Sequence, residues 1–138
     1  MLLSLLKKNW DEKFVEKKKW GFKYNIYADH YMAIDICFVK EGGFSSWHVH
    51  QHQFNSFIVL LGKLTVTRQY NLENKRNIEI AIGPDESSRK TMVFPQHRHS
   101  FLAIKETIFI EVGTVKYSRD DIERFSEGGV INLINIKK

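Results

Sequence analysis

An all-β fold, a small antiparallel barrel or sandwich, is what this sequence predicts, and three observations carry that reading. From residue 22 onward, apolar and polar residues alternate with a period of two over short runs. Turn residues punctuate the runs at regular spacing: Asp29-His30, Glu41-Gly42-Gly43, Gly62-Lys63 and Gly83-Pro84-Asp85. Little helical periodicity lies between them, which is the pattern of strands folded back on one another.

At 138 residues the chain has the size of one domain with a real core. We divide it into an N-terminal arm, 1–19, and a single barrel domain, 20–138, that ends in a short helix and a strand. Its apolar content of 43% and aromatic content of 13% argue against disorder. No apolar run approaches the roughly 20 residues of a membrane span, so no membrane partner is expected. The opening MLLSLLKKNW carries its lysines after the apolar run and has no small-residue cleavage site, unlike a signal peptide. The single cysteine, Cys37, makes no internal disulfide, fits a reducing cytoplasm, and reads as a small buried hydrophobe. A net charge of +5 and a pI near 9.3 raise the question of nucleic acid. The basic cluster at Lys7, Lys8, Lys13 and Lys17 to Lys19 is interleaved with Asp11, Glu12 and Glu16, and no nucleic-acid motif accompanies it. Nucleic acid is therefore not expected as a partner.

The elements follow in order. In the arm, Leu2, Leu3, Leu6, Trp10 and Phe14 recur near helical spacing, which predicts a short amphipathic helix or arm laid on the barrel or on a neighbouring subunit. Strands are predicted at 22–28 and 31–39, the second with Met32, Ile34, Ile36 and Phe38 on one face. After the histidine-rich segment comes Phe54–Leu61, whose two faces (Asn55, Phe57, Val59, Leu61 and Phe54, Ser56, Ile58, Leu60) are both largely apolar. Such a strand is buried on two sides, so its outer face needs the arm or a second copy, and a homodimer is expected. Further strands are predicted at 64–70, 78–82, 90–94, 100–104 and 107–115, with a polar loop at 71–77. Ser118-Arg119-Asp120-Asp121 reads as a capping box opening a short helix over 120–125, stopped by Gly128-Gly129 before a last strand at 130–136.

The chemistry concentrates in histidines, five of the six falling in two groups: His48, His50 and His52, then His97 and His99. Alternate residues of a strand share a face, so the first three imidazoles point the same way if the strand is regular. His48 and His52 then lie roughly 13 Å apart, given about 3.3 Å per residue. One ion binding nitrogen at about 2.0–2.1 Å cannot hold both, so at most one adjacent pair chelates. A second group from a distant strand is how an antiparallel barrel completes a metal site.

Two motifs bear on the choice of pair. Gly43, four residues, His48-x-His50, four residues, Asn55, six residues, Gly62 resembles the first motif of the cupin superfamily, which carries glutamate where this chain has Asn55. Phe94-Pro95-Gln96-His97-Arg98-His99 resembles the second, a Pro-x-Gly-type turn leading to one histidine, with Gln96 in the glycine position and His99 in the histidine position. Ala103 stands where family members often carry asparagine. The resemblance implies a double-stranded β-helix, or jelly-roll barrel. It also implies a metal held by His48, His50, Asn55 and His99, with His52 and His97 lining the cavity or orienting the ligands. The pair His50 and His52 breaks the spacing to both Gly43 and Asn55. A narrower resemblance is to the C-terminal cupin domain of type II mannose-6-phosphate isomerases, carried by Lys19-Trp20-Gly21 and by Arg119-Asp120-Asp121-Ile122-Glu123-Arg124-Phe125. Three positions differ: His48-x-His50 replaces that family's Gln-x-His, Asn55 its glutamate, and Ser126-Glu127-Gly128-Gly129 its closing Tyr-Gly-Arg.

Asparagine for glutamate removes a negative charge from the ligand set, weakening affinity and leaving more of the ion's charge to acidify a bound water. Three imidazoles suit a divalent transition metal such as Fe, Zn, Mn, Ni or Cu. The first functional reading is a sugar or sugar-phosphate isomerase-like protein, in which a base drawn from His52, His97, Lys105 or Glu111 moves a proton and Arg98, Lys105 or Arg68 meets a phosphate. A non-catalytic cupin binding a sugar-like ligand or a structural metal is the second reading. A three-histidine iron dioxygenase is the third.

Overall fold

The protein is described by a computed structural model covering residues 14–71, 73, 76–114 and 118–135. Its strands are β1 (Val15–Lys18), β2 (Gly21–Ala28), β3 (Ala33–Val39), β4 (Gly43–Phe44), β5 (His48–Val49), β6 (Phe54–Leu61) and β7 (Leu64–Asn71), followed by β8 (Arg76–Ile82), β9 (Lys90–Val93), β10 (His99–Ala103), β11 (Thr107–Thr114), β12 (Glu123–Arg124) and β13 (Gly129–Val130). They form two antiparallel sheets. The first runs β1-β2-β3-β11-β6-β9; the second runs β12-β5-β10-β4-β13, with β7 also on β10 and β8 on β7. This is a two-layered jelly roll: the alternating sequence predicts the antiparallel strands, and the cupin resemblance implies their jelly-roll order.

The core lies between the sheets. Phe57, Phe101 and Phe109 meet there with ring centroids 5.2–6.4 Å apart, and Trp20 closes on Phe101 at 5.3 Å. Cys37, Val39, Val59, Leu64, Val66, Ile82, Val93 and Ala103 complete it, all buried. Tight turns register the strands. At Gly62 the backbone is left-handed (φ 92°) and a Cβ would collide with the Glu106 carbonyl, so only glycine fits.

The inner faces of β2, β3, β6 and β11 change character along their length. Val39, Cys37, Val59, Phe57 and Phe109 fill the core end, whereas Lys23, Asn25, Asp35, Asn55 and Glu111 occupy the other. That polar end floors an open cleft of about 850 Å³.

Several sequence expectations need correction. Among the described residues there is no α-helix. Residues 1–13 of the proposed arm lie outside the described residues. Val15–Lys18 form an edge strand on β2, in register from Val15 with Tyr24 to Lys18 with Gly21. The predicted helix at 120–125 is a turn: the Asp121 N–H reaches the Ser118 carbonyl (3.1 Å), and Glu123 and Arg124 then pair with Val49 and His48 as β12. The capping residues start a turn, and strand pairing takes over before a helix can propagate. The final strand is only Gly129–Val130, followed by a 3-10 turn at Leu133–Asn135; 136–138 lie outside the described residues. In β6 the inner row ends at Val59, because a bulge opposite Ile108 and Phe109 shifts Leu61 out of register and leaves it 54% exposed.

Candidate metal centre

Histidines 48 and 99 are direct cross-strand partners in β5 and β10, and their ring centroids lie 4.3 Å apart. The strand stops at Val49, where the chain turns, yet His50 still projects inward, 5.0 Å from the ring of His48 and 5.3 Å from that of His99. One ligand nitrogen from each of the three lies within 4.8 Å of the others. Two nitrogens on one ion at about 2.1 Å are at most about 4.2 Å apart, so small ring rotations close the set.

Hydrogen bonds select the free nitrogen of each ring. His48 Nδ1 donates to the Ser46 carbonyl (2.8 Å), His50 Nδ1 to the Asp121 carbonyl (2.7 Å) and His99 Nδ1 to the His97 carbonyl (3.1 Å). Each Nε2 is left as a lone pair, the tautomer that metal binding requires. For His48 and His99, burial reinforces this by keeping the rings neutral. It is the main force pushing His48 down to about 3, with the nearby His50 adding to it. It also pushes His99 well below its ordinary value, helped by His48 and His50. His50 Nε2 and Asn55 Oδ1 are buried and make no hydrogen bond. Both are electron-pair donors without a partner, an arrangement that a cation satisfies and a further N–H rarely reaches. The donor set therefore fits a transition-metal ion.

Asp121 holds this centre together. Its carboxylate accepts the backbone N–H groups of Gln51 (2.7 Å), His52 (2.9 Å) and Gln53 (3.3 Å), which fixes the turn after His50, while its carbonyl orients the His50 ring. Burial works against its charge, but these N–H donors hold the carboxyl below its usual range. The second motif docks on the first in the same way: Gln96 N–H donates to the His50 carbonyl (2.7 Å). Gln96 is left-handed (φ 67°), so the turn keeps the conformation a glycine would adopt freely.

Opposite the histidines, the other sheet supplies a second polar group. Asn55, 1% exposed, places Nδ2 3.3 Å from His99 Nε2 and 3.3 Å from Glu111 Oε1. Cys37 Sγ lies 3.9 Å from Glu111 Oε2. Burial pushes that thiol well above its ordinary pKa, and Glu111 adds to the effect. Lys23 lies 3.3 Å from Asp35, and Asn25 Nδ2 donates to Asp35 (2.9 Å). Glu111 is the main cause that holds the Lys23 ammonium charged, against burial, with Asp35 contributing.

Sequence-predicted residues divide accordingly. His48, His50, Asn55 and Glu111 line the cleft, and His99 lies beneath it, 1% exposed. His52 does not share the face of His48 and His50, because the strand ends before it, and it is exposed in the turn. Lys105 is exposed in the turn between β10 and β11. His97 is half-buried with Nδ1 on the Gln69 carbonyl (2.9 Å), and Arg98 stacks over Phe125 at 3.8 Å. Neither these residues nor Arg68 are among the described residues lining the cleft; the cations there include Lys18, Lys23, Arg119 and Arg124. Lys23 and Asp35 escaped the sequence reading because, in an alternating strand, a polar row looks solvent-facing.

No family model matches the sequence and no curated protein matches it. Solved structures do. CapF, a capsular polysaccharide assembling protein from Staphylococcus aureus, superposes with a TM-score of 0.66 at 14% identity, over 81% of this chain and 34% of its own. Oxalate decarboxylase from Bacillus subtilis, a protein with Mn(II) centres, gives 0.67 at 15% over 80% and 29%. Protein SO0799 from Shewanella oneidensis gives 0.67 at 14% over 83% and 82%. The chain thus spans about a third of the length of the first two and most of the third. These are cupin folds, and at such identities they speak to architecture alone: this chain has the cupin jelly-roll fold.

Proposed function

We propose that the protein is a small metal-binding cupin whose His48, His50 and His99 hold one divalent transition-metal ion at the base of the cleft. The observation that carries this reading is the convergence of three buried imidazoles, each with Nδ1 committed to a carbonyl and its Nε2 lone pair turned inward, that of His99 accepting only a long 3.3 Å bond from Asn55. The ion would supply Lewis acidity toward a carbonyl or hydroxyl oxygen. Within this reading the cleft takes a small, oxygen-rich, sugar-like anion. Arg119 and Arg124 provide positive charge around it, Lys18 and Lys23 being paired with Glu16 and Asp35, and this is the supporting feature for a phosphate or carboxylate substituent. Glu111 is the base this isomerase-like reading uses, because it lines the cleft whereas His52 and Lys105 are exposed on loops.

The second reading, binding without turnover, is favoured by Asn55, which leaves the ligand set without a carboxylate. Zinc or manganese titration followed by a panel of sugar phosphates separates the two. Isomerised product supports catalysis; saturable sugar-phosphate binding without product supports the second reading. Absence of metal binding overturns both.

The proposal extends to self-association. Ile36, Ile58 and Ile110 lie side by side across β3, β6 and β11 on the outer face, continued by Leu60, which is 38% exposed. A second copy seated there gives a homodimer; sedimentation showing only monomer at micromolar concentration overturns it.

A further inference from the structure

Asn55 stands on β6 and Glu111 on the neighbouring β11, diagonal to one another on the inner face: Gly113 pairs with Asn55 and Glu111 with Phe57. The amide nitrogen of Asn55 donates both its hydrogens, to His99 Nε2 and to Glu111 Oε1. An ion taking the His99 lone pair displaces the first of these bonds. The second persists, and it determines which end of the amide the ion meets, since Nδ2 stays with the carboxylate and Oδ1 remains as the available donor. That oxygen is already buried without a partner.

We infer that Asn55 and Glu111 act together as a divided carboxylate: Asn55 Oδ1 touches the metal, and Glu111, through Nδ2, orients the amide and pushes electron density onto that oxygen. The inference rests on the metal-binding reading above. Outer partners of this kind raise the basicity of the ligand they contact, and their loss costs about 10- to 100-fold in metal affinity. Glu111 is thus a positioning residue for the centre, whatever the cleft binds.

A double-mutant comparison tests this by Zn²⁺ competition titration, a readout independent of turnover. Glu111→Gln should weaken Zn²⁺ binding about 10- to 100-fold. Asn55→Glu restores a direct carboxylate but sets it against Glu111, so adding Glu111→Gln in that background should leave affinity unchanged or improve it. The reversal of sign is the distinguishing result, since a merely structural role for Glu111 would lower affinity in both backgrounds. Should Glu111→Gln fail to fold because Lys23 loses its partner, the same comparison is made in a Lys23→Gln background, where no ammonium is left unpaired. Equal affinity of the Glu111→Gln protein and the unsubstituted chain overturns this inference and leaves the metal centre standing. Failure of the unsubstituted chain to bind Zn²⁺ overturns both.

Discussion

Acidifying the chelator-treated protein should unfold it along a slope set by the buried histidines. His48 and His99 titrate near 6.5 in an unfolded chain, whereas in the fold burial first, and neighbouring imidazoles second, push His48 down to about 3 and His99 well below 6.5. Above pH 7 neither ring binds a proton in either state, and their contribution to stability is whole. As pH falls below 6.5 the unfolded chain takes up both protons and the folded one refuses them, so stability declines by about 1.4 kcal/mol per pH unit for each ring. His48 alone accounts for about 3 kcal/mol between pH 6.5 and 4.5, and His99 adds to the loss in the same direction, a large share of the stability of a small domain. Urea unfolding followed by tryptophan fluorescence from pH 8 to 4.5 measures it. His48→Gln should remove about one proton from the slope. A stability flat from pH 6.5 to 5, or a slope unchanged by His48→Gln, refutes the reasoning.

Metal affinity should separate the histidines: His50→Ala lowers it by at least about 100-fold, while His52→Ala, in an exposed turn, changes it less than about 3-fold, as read by competition titration. Asp121→Ala frees the His50 ring and strips an acceptor from three N–H groups, so it should cost about 2 kcal/mol in urea unfolding and about 10-fold in metal affinity. Gln96→Gly relieves a left-handed side chain but loosens the unfolded state, for a net gain of about 0.5 kcal/mol in urea unfolding; a loss above about 1 kcal/mol contradicts the assigned turn.

The barrel was legible because its signal is local: period-two alternation and glycine turns mark strands β2, β3, β6 and β11 to within a residue or two. Strand spacing limits the first group to one adjacent pair, and the cupin resemblance selects His48 and His50 with His99, the three residues that the fold brings together. Where the reading failed, the cause was non-local. Ser118 to Asp121 begin a turn or a helix equally well, and pairing of β12 with β5 decided between them. Lys23 and Asp35 belong to polar rows that look solvent-facing until β1 and the residues 118–128 wall the cleft they face. The Asn55–Glu111 contact spans 56 residues of sequence and needs β6 beside β11 to exist.

Anomalous diffraction at a metal absorption edge, from crystals grown with one equivalent of Zn²⁺ or Mn²⁺, tests the central claim most directly. The account predicts a single peak about 2.0–2.3 Å from the Nε2 atoms of His48, His50 and His99. A peak on His52 or His97, or none between the two sheets, would contradict it.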